Sequence, residues 1–147
     1  CQYFFQTSVK QLKEEYVKSG KVRFVFRQFA FLGDESQWAA ESSECANEQG
    51  RFWDYYDKLY QEQNGENVGI FSKDNLKKFA VDLKLDVADF NQCLDAGRYT
   101  EKVKQETQEG QQAGVRGTPS VFVNGQYVEE GINYPTLKAA VEAALGE

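Results

Sequence analysis

The sequence contains no histidine. That absence removes a Ser-His-Asp triad, a Cys-His dyad and every His-ligated metal site, so any catalysis must use thiols, carboxylates, hydroxyls or backbone groups. Nowhere does the chain approach the roughly 18–20 consecutive apolar residues that a membrane-spanning helix needs. An excess of positive charge is also missing: 17 basic against 23 acidic side chains give a formal net charge of −6. Such a balance repels nucleic acid and anionic membranes, so nucleic acid is not an expected partner. No repeat, low-complexity stretch or linker divides the chain. What is present is one domain's length, 147 residues of which 41% are hydrophobic, enough to bury a real core.

Cysteine is sparse and odd in number: Cys1, Cys45 and Cys93. At least one thiol therefore has no partner within the chain. Three scattered cysteines without histidine lack zinc-ligand spacing, so no metal site is expected. The chain opens on Cys1 with no initiator Met, basic n-region or apolar h-region. This reads as a sequence from which something upstream has been removed, whether a cleaved signal, a lipoprotein boundary or part of a domain.

Residues 2–17 carry apolar side chains at Phe4, Phe5, Val9, Leu12 and Tyr16, gaps of three and four that predict an amphipathic helix ending at Ser19-Gly20. Val22, Phe24, Phe26 and Phe29, interleaved with Arg23, Val25 and Arg27, predict a strand over 22–29. From about Asp34 to Gly114 the pattern is helical: one helix through Trp38 and Cys45, one through Phe52 to Tyr60, one capped by Ser72, one capped by Asp86 through Cys93, and a polar one from Thr100 to Gln112. After Gly114 the texture becomes β-prone. Asn124-Gly125 between Ser120–Val123 and Gln126–Val128 is a strong hairpin signal. Pro135 opens a closing helix whose Leu137, Ala140, Val141, Ala144 and Leu145 form one stripe. The helical middle reads as an insertion into an α/β frame.

The segment from Gly114 to Gly125, with Arg116-Gly117-Thr118-Pro119 at its centre, resembles the cis-proline loop and following hairpin of thioredoxin-fold proteins, in particular the disulfide-forming oxidoreductases of the DsbA family. Similar stretches are Gln11 to Tyr16, the predicted strand Val22 to Phe29, Glu44-Cys45 through Trp53, and Cys93 to Gly97. The resemblance spans the whole sequence in order. It implies an α/β thioredoxin-like fold with an inserted helical domain, forming one domain over 1–147. Residues 1–33 and 115–147 would be the thioredoxin portion and about 34–114 the insertion.

The same resemblance gives Cys1 a place. Family members carry Cys-x-x-Cys at the start of the first helix, and counting back from Gln11-Leu12 without a gap puts Cys1 on the second cysteine. The nucleophilic first cysteine and the strand before it would then be missing. Aligning Cys1 with the first cysteine instead requires a deletion of about one helical turn, which rotates the apolar face out of register. In the complete motif the helix N-terminus stabilises a thiolate, lowering a cysteine pKa from about 8.5 to as little as about 3.5. The second cysteine, one turn on, resolves the mixed disulfide. Cys1 is thus the expected catalytic residue of this sequence, able to be captured in a mixed disulfide but not to cycle alone.

The resemblance further implies that the backbone of Thr118, beside Pro119, pairs with an extended substrate peptide by main-chain hydrogen bonds. An isolated Thr-Pro would ordinarily be a trans turn. Some family members join cysteines at the places of Cys45 and Cys93 in a structural disulfide; closing that 48-residue loop would stabilise by roughly 4 kcal/mol. Two buried free thiols are the alternative. The aromatic group Phe52, Trp53, Tyr55, Tyr56 and Tyr60 reads first as core, with one or two rings left for a peptide groove. Glu14-Glu15 and Glu129-Glu130 read as solvated faces.

The expectation is a thiol-disulfide oxidoreductase without a cofactor, acting outside the cytoplasm on reduced or misoxidised polypeptides and recycled by a membrane or small-thiol redox partner. The alternatives are a redox-inactive thioredoxin-fold module that binds peptides or proteins, a lipoprotein beginning at Cys1, and a glutathione-transferase-like relative that shares the helical insertion. Because the family's central strand is expected to precede the motif, the 147 residues are expected not to form the whole folding unit. Pairing of 22–29 directly with 120–123 would contradict that expectation.

Overall fold

The computed structural model describes all 147 residues. It divides into two compact units, one formed by Cys1–Phe26 with Val115–Glu147 and the other by Arg27–Gly114.

In the first unit, the helix over 2–17 alternates α-turns at Gln2–Phe4 and Lys10–Leu12 with wider π-turns at Phe5–Val9 and Lys13–Val17. Its apolar side holds Val9, Leu12 and Tyr16, each at most 5% exposed. Leu12 and Tyr16 pack with Leu137 and Val141 of the closing helix Tyr134–Leu145, and Val22, Phe24, Val121 and Val123 lie against this cluster. Two polar links fasten the same helices: Tyr16 donates to Glu142 across 2.6 Å, and Lys138 donates to Glu15 across 3.0 Å. The last residues of the predicted closing stripe lie outside this core, with Leu145 37% exposed.

The hairpin forms where Asn124-Gly125 predicts it. Phe122–Val123 (β1) pairs antiparallel with Gln126–Tyr127 (β2), with Phe122 opposite Tyr127 and Val123 opposite Gln126. Asn124 and Gly125 both have positive φ, 49° and 80°, the conformation that a two-residue primed turn requires. Gly131 closes the hairpin from below: a Cβ there would lie 3.0 Å from both the Val121 Cβ and the Val128 carbonyl oxygen, so only glycine fits without displacement.

The predicted strand over 22–29 requires correction. The sheet has two strands, β1 and β2, and 22–29 is in neither. Burial still alternates along it, with Val22, Phe24, Phe26 and Gln28 turned inward and Arg23, Val25 and Arg27 exposed. The two-residue period of β-branched and aromatic side chains is realised, but a strand also needs a ladder partner, and no ladder forms here.

The second unit is helical: Asp34–Glu48, Phe52–Glu62, Lys73–Asp82, Val87–Asp95 and Thr100–Gln112. The sequence cues for starts hold at the atomic level. Ser72 Oγ accepts from the Asn75 N–H and Asp86 Oδ1 from the Asp89 N–H, each satisfying a first-turn donor. The core gathers Cys45, Ala46, Tyr55, Leu76, Phe79, Ala80, Phe90, Cys93 and Leu94. Tyr55 is fully buried and donates its hydroxyl to the Leu76 carbonyl at 2.9 Å. Of the aromatic group, Tyr55 and Tyr56 are core and Phe52 and Tyr60 half-buried, while Trp53 stays 42% exposed on the edge of Phe52 and Tyr56.

The polar helix Thr100–Gln112 buries only Val103. Polar side chains do most of the rest. Thr100 donates to Glu41, Lys102 pairs with Glu44 at 2.7 Å, and Thr107 Oγ1 and Glu106 accept from the backbone of Ala30 and Gln28.

Candidate functional site

Cys1 precedes the first turn of the first helix, and its carbonyl accepts from the Phe5 N–H at 2.8 Å. Its thiol is free and exposed. Cys1 thus stands at the start of the helix over 2–17 with its sulfur open to solvent.

The other two cysteines are unavailable. Cys45 and Cys93 are joined by a 2.05 Å S–S bond with their Cα atoms 5.9 Å apart, and each is 1% exposed. The bridge ties the helix Asp34–Glu48 to Val87–Asp95 through the core of the second unit. Only one sulfur in the chain meets solvent.

The Thr118-Pro119 bond is cis. This loop belongs to the same compact unit as Cys1, whereas the Cys45–Cys93 bridge belongs to the other. Thr118 is exposed, Pro119 half-buried, and Ser120 Oγ donates back to the Gly117 carbonyl at 2.7 Å, holding the bend. The N–H and C=O of Thr118 take part in none of the chain's turn or strand hydrogen bonds. An exposed N–H and C=O without partners on one residue can exchange hydrogen bonds with an extended peptide.

The thioredoxin family model matches residues 1–143. The Bacillus anthracis protein named "Probable disulfide bond formation protein D" is 32% identical over 149 residues, an alignment that covers 99% of this chain and 68% of that protein. The chain belongs to the DsbA-like thiol-disulfide oxidoreductases. Among solved structures, oxidised BdbD from Bacillus subtilis superposes with a TM-score of 0.92 at 23% identity, covering 100% of this chain and 81% of that one. A thioredoxin-like oxidoreductase from Silicibacter pomeroyi gives 0.78, also at 23% identity, covering 100% of this chain and 82% of the other. These likenesses establish the thioredoxin-like fold with its helical insertion for this oxidoreductase. No helix of it is long and apolar enough to cross a membrane.

Sequence reasoning did not single out two features of the DsbA-like chain. One is the buried polar group of Gln28, Glu41, Ser42, Ser43 and Glu44, for which a glutamine in an otherwise alternating apolar run is the available cue. The other is Arg116, an exposed cation within the proline loop itself.

Proposed function

We propose that this chain exchanges disulfides with cysteines of exported polypeptides, through a Cys-x-x-Cys motif of which Cys1 is the second, resolving cysteine. In this reading Thr118 and Pro119 receive the extended substrate. The Cys45–Cys93 bridge has a purely structural role, and residues 1–147 form one thioredoxin-like domain interrupted by the helical insertion. The substrates are reduced or misoxidised chains. A membrane protein or a small thiol returns the motif to its working redox state, and the compartment is outside the cytoplasm, where a stable bridge such as Cys45–Cys93 persists.

The observation that carries the reading is the division of the sulfurs: the exposed one heads a helix, and the other two are locked in a buried bond. Attack by the Cys1 thiolate on a substrate disulfide forms a Cys1–substrate disulfide and expels the other sulfur as a thiolate.

The test is the rate at which Cys1 captures a peptide whose cysteine carries a 2-thiopyridyl disulfide, read as released pyridine-2-thione. N-acetylcysteinamide bearing the same group serves as the small reference. The reading expects one equivalent released per chain, faster capture of the extended peptide than of the reference, and none by C1S. Equal rates for peptide and reference contradict peptide pairing at Thr118, and undiminished capture by C1S contradicts the assignment of Cys1.

A further inference from the structure

We propose that Arg116 is a specificity-determining residue of the proline loop, favouring substrates that carry Asp or Glu within two residues of the reacting cysteine. This inference rests on the reading of Thr118 as the residue that pairs with the peptide. Arg116 lies two positions before Thr118, so a peptide bonded to the Thr118 backbone brings its own neighbouring side chains beside the guanidinium.

The guanidinium is uncommitted. Arg27, Arg51 and Arg98 each hold a carboxylate, whereas Arg116 is exposed and forms no ion pair. Its donor fork matches a carboxylate in a two-point contact that a lysine or a neutral side chain does not reproduce. Space is available beside it, because Gly117 has no Cβ and, apart from its chain neighbours, nothing lies within 4 Å of where one would be.

The charge distribution supports the same partner. The chain's net charge of −6 is not spread evenly: the unit bearing the loop and Cys1 has seven basic and six acidic side chains, and the helical unit has ten and seventeen. The surplus negative charge belongs entirely to the helical unit. At physiological salt the screening length is about 8 Å, so a bound peptide responds mainly to charges beside it. Within the loop from Gly114 to Pro119, the one charged side chain is Arg116.

The experiment uses two extended peptides that are identical except for Glu or Gln two residues after the cysteine, each activated as the 2-thiopyridyl disulfide. Capture forms the Cys1–peptide S–S bond, breaks the peptide–thiopyridyl bond and releases one pyridine-2-thione. At low ionic strength the unmodified chain is expected to favour the Glu peptide about two- to fivefold, the size of one exposed ion pair. The ratio is expected to fall to about one in R116Q, to be smaller in R116K than in the unmodified chain because the charge stays and the two-point contact is lost, and to shrink in 0.5 M salt. A ratio of one in the unmodified chain, or an unchanged ratio in R116Q, overturns the proposal. Capture of both peptides no faster than the N-acetylcysteinamide reference overturns the reading of Thr118, and this inference with it.

Discussion

The backbone N–H of Gln28 donates to a Glu106 carboxylate oxygen across 2.7 Å, and two residues on the Ala30 N–H donates to Thr107 Oγ1 at 3.0 Å. Side chains of a helix here supply acceptors that a neighbouring strand would supply in a sheet. Gln28 itself is buried, and its amide reaches Ser43 and Glu44. Gln28 and Ala30 thus satisfy their N–H groups without entering a ladder, as buried N–H groups must.

Replacing Glu106 by Ala leaves the Gln28 N–H without that acceptor and is expected to destabilise the fold by about 1–2 kcal/mol. E106Q keeps an amide oxygen in the same place and should lose less than half as much. Urea unfolding of the two variants beside the unmodified chain checks this. Equal stability of all three would show that water serves the Gln28 N–H equally well.

The buried bridge gives a second expectation. In the native protein, Ellman titration should find one thiol, Cys1, and three only after reduction in denaturant. Replacing Cys45 and Cys93 together by Ala should cost about 4 kcal/mol on the chain-entropy estimate for a 48-residue loop. Loss of the two buried sulfurs from the core adds to this cost.

Alkaline pH supplies a third. Tyr99 ordinarily ionises near 10.0 and is pushed up to about 12, first by burial and then by its hydrogen bond to Glu48. Tyr16 is raised chiefly by its bond to Glu142, and Tyr55, Tyr56 and Tyr60 by burial. For each, the folded state keeps a proton that the unfolded chain releases above about pH 10. The associated stability is therefore complete below pH 10 and falls as pH rises towards 12 and beyond. Urea midpoints measured from pH 9 to 11.5 should drop steadily, and Y99F should make the drop shallower.

Much of the fold was legible where short-range chemistry decides it. Ser72 and Asp86 cap as their side chains predict, and Asn124-Gly125 turns because both residues tolerate positive φ. The 22–29 segment shows the limit of such cues. Its alternation fixed which side chains face inward, but pairing depends on what lies alongside, which periodicity does not contain. The polar helix 100–112 was visible as a helix, while its anchoring through Glu41, Glu44, Glu106 and Thr107 was not, because contacts between distant polar residues leave no periodic trace. At the candidate site, Thr118 and Pro119 were found through the resemblance of their loop. Arg116 stands in the same loop, and only the structure distinguishes its unpaired guanidinium from those of Arg27, Arg51 and Arg98.

In the proposed function, thiol-disulfide exchange in this chain runs through Cys1. Its most direct test is peptide mapping by mass spectrometry after the native protein is incubated, without reductant, with an excess of a disulfide-bonded polypeptide and quenched in acid. A single mixed disulfide is expected, located at Cys1, with Cys45 and Cys93 still joined to each other. Adducts at Cys45 or Cys93, or an unmodified Cys1 under conditions where free cysteine reacts, would contradict it.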